Sequence, residues 1–161
     1  MQDSMYAPSK IFSLNERLFN NCLAGVTDAM AAERISDHNN PLIWLAVHTT
    51  WARYNIAALL GQPVVNPYNG LFENFKPFDS SMVFDPIEKI KAEWVLASAL
   101  LKEGMATVTA EHLTNPAPFK NPLGDLSMLG AIIFLAQHES YDIGQMALLK
   151  KYLTKEAMSY S

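Results

Sequence analysis

"MLGAIIFLAQHESYDIGQMALLKKYL", residues 128–153, is the longest helix-like run in the chain, and its reading decides the fold. The proline-rich stretch "TNPAPFKNPLGD", residues 114–125, breaks any preceding helix, so this one is predicted to begin near Asp125 or Ser127 and to end at about Leu153. Inside it, "HESYDIGQ" (138–145) sets His138 and Asp142 four residues apart. Helix geometry separates such residues by ~40° in azimuth and ~6 Å along the axis, so both project from one face, with Gln145 and Leu149 following. Should that face point inward, an unpaired carboxylate there would be costly, and Asp142 would need a partner.

Working outward, three further helices emerge. Residues 40–61, "NPLIWLAVHTTWARYNIAALLG", open with Asn40 as N-cap and Pro41 at the first helical position, and carry Trp44, His48, Trp51 and Asn55 on one face. A first helix over roughly 10–34 follows from the three- and four-residue steps of Phe12, Phe19, Leu23, Val26 and Met30. In "DPIEK", Asp85 as N-cap, Pro86 at N1 and Glu88 at N3 have the form of a capping box. The helix it opens has charge pairs Asp85–Lys89 and Lys89–Glu93 outside and Ile87, Ile90, Trp94, Leu96, Ala97 and Leu101 inside, with a bend at Gly104 before about Leu113. Residues 61–85, with Pro63, Pro67, Pro77 and the Asn69-Gly70 pair, read as a long crossover. No strand pattern competes. The fold expected is one all-α domain, 1–161, a four-helix bundle with a long crossover between its second and third helices.

Composition narrows the function classes. Of 161 residues half are apolar, enough for one sizeable core, and 16 acidic against 12 scattered basic residues argue against a nucleic-acid surface. One cysteine excludes an internal disulfide, and "MQDSMYAPSK" lacks the pattern of a secretory signal, so a cytoplasmic location is expected. The longest charge-free stretch is too short and too interrupted to span a bilayer.

His48, flanked by Trp44, Val47 and Trp51, is the natural partner for Asp142; with His138 these groups offer two imidazoles and one carboxylate from two helices. The two segments 40–61 and 134–153 resemble the DinB/YfiT-like superfamily of four-helix-bundle metalloproteins, with the likeness sharpest at "HESY" and "IGQ". That resemblance implies a divalent metal, zinc or nickel first and iron or manganese next, held by a histidine on the second helix and an H-x3-H on the last. His48 and His138 match; Asp142 stands where the family has its second histidine of that pair. It also implies a small-molecule substrate, a thiol-dependent transfer or a hydrolysis, a low-molecular-weight thiol as partner, homodimerisation, and Tyr141 or Gln145 orienting the reactant.

Two outcomes stand for Asp142. Aspartate is a competent ligand in a two-His-one-carboxylate set. Its oxygen ends about an ångström short of an imidazole nitrogen, however, and metal–ligand distances tolerate only ~0.2 Å, so the alternative is a metal-free binding or dimerisation module in which Asp142 clasps His48 or His138. A third reading keeps a His–Asp pair for acid–base catalysis without metal. Glu139, about a hundred degrees from His138, reads as a surface group or as a partner behind the site. His38 and His112 read as exposed or capping residues, the three tryptophans as core, Cys22 as a buried small hydrophobe, and Gly144 as a point of close helix contact.

Overall fold

Four long helices, α1 (Tyr6–Leu23), α3 (Leu42–Leu59), α4 (Ile87–Thr107) and α6 (Met128–Thr154), carry the computed structural model, which describes residues 3–161. Two short helices, α2 (Asp28–Ala32) and α5 (Ala110–Thr114), sit in the connections. α3 packs on α4 and α6, and α1 packs on α6 and α4, so each long helix touches at least two others. Among the described residues there is no strand, only an isolated antiparallel bridge between Pro116 and Ser127. The chain is all-α, with the long connection between α3 and α4 in its expected place.

Several local expectations are corrected. The first helix is two: α1 stops at Leu23, and Gly25, at φ +75°, turns the chain in a backbone region that favours glycine before Thr27 caps α2 by accepting from the Met30 N–H. Pro41 and Pro86 occupy N-cap positions in extended conformation, not the first helical turn, and neither Asn40 nor Asp85 caps its helix. At α4 the Ile87 N–H instead donates to Asp28 Oδ1 of α2 at 2.8 Å, so the cap comes from 59 residues away. Asp85 does pair with Lys89, at 3.0 Å, whereas Glu88 pairs with Lys91 and Glu93 accepts from the Tyr54 hydroxyl.

Gly104 does not bend α4. A Cβ there would lie 2.8 Å from Leu60 Cβ, so the glycine lets α4 approach the end of α3; the break falls at Val108, and Thr109 caps α5. Leu96 faces outward, 56% exposed. The start of α6 is as read, with Ser127 accepting from the Gly130 N–H.

α3 is buried nearly all round, as befits the central helix of a bundle, and its half-buried positions His48, Trp51 and Asn55 fall on one stripe. Two apolar clusters fill the bundle, one around Phe19, Trp44, Trp94 and Ile143, the other around Phe12, Ile56, Leu101 and Ile132. Arg53 joins them: its guanidinium lies 3.7 Å from the Trp94 ring centroid and 5.9 Å from that of Phe12. It also forms a two-pronged pair with Glu139, Nε to Oε2 at 2.9 Å and Nη2 to Oε1 at 2.6 Å, and donates to Ser98 Oγ and the Phe12 carbonyl.

Both members of that pair are 1% exposed, so removing one leaves the other charged and buried. Glu139→Ala is expected to lower unfolding free energy by about 3–5 kcal/mol in urea titrations, and a loss under about 1 kcal/mol would contradict the bridging role. Gly104→Ala should cost about 1–3 kcal/mol, because the new methyl must displace Leu60.

Candidate metal centre

His48 and His138 come from facing helices, α3 and α6, and Asp142 sits one turn beyond His138. Asp142 Oδ2 faces both imidazoles through their Nδ1 atoms, at 2.9 Å from His48 and 3.7 Å from His138. The carboxylate is buried, 5% exposed at the side chain, while His48 and His138 retain 16% and 33%. The burial therefore grades outward from Asp142 to His138, giving the group an inner anion and an open rim.

The three side chains converge closely enough to hold a metal ion: taking one donor atom from each, all lie within 4.8 Å of one another. Ligands about 2.1 Å from a tetrahedral zinc are roughly 3.4 Å apart, a value bracketed by the two distances to Asp142. A second feature fits the same group. His138 Nδ1 is buried with no hydrogen-bond partner among the described residues, an orphan that a cation next to Asp142 would satisfy.

Aromatic rings fix the imidazoles. Trp44 stacks on His48, centroids 4.8 Å apart and planes 9° apart, while Phe72 meets the same ring edge-on at 5.1 Å. Trp51 lies 5.7 Å from His48, and Phe134 lies 6.1 Å from His138. Phe134 precedes His138 by four residues, so its place on that face was available from helical spacing. Phe72 was not: it enters from the irregular connection after α3, where no period applies.

The other expected site residues are less gathered. Tyr141 is 62% exposed, and Gln145 is half-buried with no side-chain hydrogen bond among the described residues. Gly144 is corrected: it is exposed and a Cβ there would meet nothing within 4 Å, so it serves no close contact. Glu139 is likewise no surface group but the buried partner of Arg53, a residue that no spacing in the sequence marks out. His112 Nε2 lies 2.7 Å from the Leu59 carbonyl at the end of α3, and His38 is exposed. Trp94 is core, whereas Trp51 is half-buried at the rim.

Cys22 is fully buried between the Ile143 carbonyl and Met158, and burial, partly offset by Lys150, pushes its thiol up to about 12. It belongs to the core and lies outside the His–Asp group. No described helix is long and apolar enough to cross a membrane.

The family model described as the DinB superfamily matches residues 11–146, a span that contains His48, His138 and Asp142. A solved structure, described as that of the conserved protein of locus from Enterococcus faecalis, superposes with a TM-score of 0.74 at 14% identity, covering 97% of this chain and 100% of that one. At that identity the likeness is one of fold. A search of the curated proteins finds no match.

The buried thiol carries a pH prediction. Its folded pKa lies above the ordinary value, so the neutral form is favoured in the native state; that contribution is complete below about pH 9 and is lost as pH rises toward about 12. A disulfide reagent at pH 8 should therefore label native protein far more slowly than protein in urea, and equal rates would show that Cys22 is accessible.

Proposed function

The chain belongs to the DinB superfamily, and on that premise we propose that it is a metal-dependent enzyme whose divalent ion is held by His48, His138 and Asp142. The observation that carries this reading is the unpartnered His138 Nδ1 facing the buried Asp142 carboxylate. Such a donor set suits zinc, nickel, iron or manganese. A bound ion of this kind would lower the pKa of a coordinated thiol or water, which is the chemistry of thiol transfer and of hydrolysis.

The protein's own groups have distinct tasks in this reading. Trp44, stacked on one face of the His48 ring, and Phe72, edge-on to it, hold that ring in one orientation. Asp142 supplies the negative charge that two neutral imidazoles cannot. Tyr141, largely exposed, and Gln145, half-buried one face-repeat beyond His138, are the polar groups free to orient a small-molecule substrate or a low-molecular-weight thiol at the rim. No protein thiol takes part, since Cys22 is buried and protonated.

A second reading has its own support. The 2.9 Å contact between His48 Nδ1 and Asp142 Oδ2 is also a good hydrogen bond, and in a metal-free module it would satisfy the buried carboxylate by itself. It leaves His138 Nδ1 unexplained, which is why the metal reading is preferred.

Elemental analysis and calorimetric titration with zinc, nickel, manganese and anaerobic ferrous iron separate the two. The proposal expects about one ion per chain and at least a tenfold loss of affinity in Asp142→Ala and His138→Ala, in keeping with the loss of one ligand in three. An absence of binding by the parent chain, with binding restored in Asp142→His, would overturn it in favour of the metal-free clasp.

A further inference from the structure

The rings around the two imidazoles divide by burial, and the division points to a ligand class. Trp44 and Phe72 are 9% and 4% exposed and are occupied in packing His48. Trp51, which also packs on Phe72 at 5.4 Å, and Phe134 are only half-buried, one beside His48 and one beside His138. Centroid separations of 6.1, 5.4 and 5.7 Å link Phe134, His138, His48 and Trp51 into a continuous row of rings across the site. These spacings are within the range at which flat groups stack or meet edge to face.

Charge narrows the class further. Apart from its histidine, α3 has a single basic residue, Arg53, which is buried and bound to Glu139. α6 has none before Lys150, whose ammonium is itself buried and donates to the Ala24 carbonyl at the far end, ~18 Å along the axis from His138. The one exposed cation on the two site helices, Lys151, lies ~20 Å along the axis from His138, out of reach of a second carboxylate or a phosphate on a ligand at the cluster. On these two helices a ligand with several negative groups would find Asp142 and no counter-charge near it.

We propose that this site selects a ligand with a flat aromatic body and a single donor group, and that Trp51 is the residue that selects it. The inference rests on the metal reading above for the donor group, and on the ring geometry alone for the aromatic body. A thiol or other donor carried on an aromatic ring lies across Trp51 with its donor at the His48–His138–Asp142 cluster. A polycarboxylate thiol is disfavoured.

Calorimetry on the zinc-loaded chain with benzohydroxamate and acetohydroxamate, which share a donor and differ in the ring, tests this. The aromatic probe is expected to bind on the order of tenfold more tightly, with Trp51→Ala bringing the ratio close to one and Trp51→Phe keeping most of it, at unchanged zinc stoichiometry. Mercaptosuccinate should bind more weakly than benzyl mercaptan. Equal affinities for the two hydroxamates, tighter binding of mercaptosuccinate, or a Trp51→Ala ratio like that of the parent would each overturn it. If the chain takes up no metal, the reading of the preceding subsection fails. The ring preference is then tested on the metal-free chain with benzylamine against ethylamine, cations that Asp142 attracts, and equal affinities there overturn the aromatic seat as well.

Discussion

The buried pair between Arg53 and Glu139 is the constraint on which the rest of the bundle depends. Desolvating two charges is repaid only when geometry is good and every remaining donor is satisfied. Here the guanidinium meets a carboxylate on α6, a hydroxyl and an indole face on α4, and a carbonyl on α1, all from one residue of α3. Four helices thereby share one rotational setting. Turning α6 by a single residue would withdraw Glu139 and strand Arg53 in an apolar interior.

The placement of the His48–His138–Asp142 group follows from that setting. Glu139 faces the core junction, so its neighbour His138, about 100° around the helix, faces the half-buried stripe of α3 on which His48 lies. Two carboxylates three residues apart on α6 thus have opposite roles: Glu139 is fully compensated by a permanent cation, whereas Asp142 meets only imidazoles. The first fixes how the helices are set against one another. The second leaves an anion whose neighbours can accept a metal.

How much of this could be read from sequence depends on the range of each interaction. The H-x3-D face, the partnership with His48, the Ser127 cap and the long connection are products of spacing along one helix or of the family resemblance, and they were legible. The Arg53–Glu139 pair joins residues 86 apart on helices whose apolar residues surround them on all sides, so no periodic signal marked either as inward. Asp28 capping α4 is a similar case, a local rule satisfied from a distant element. Gly25 was a different failure, since its turn is local, and the apolar period on either side carried the helix reading across it. At Gly104 the glycine was seen but its cause misassigned, because only the packed partner Leu60 distinguishes a close approach from a bend.

The most direct test is side-chain nitrogen NMR of the four histidines during a zinc titration. Binding at the proposed site would shift the imidazole resonances of His48 and His138 together, saturating at one zinc per chain, while His38 and His112 stay in place. Unmoved His48 and His138 resonances, or zinc shifts confined to His38 or His112, would contradict the assignment of the metal to this cluster.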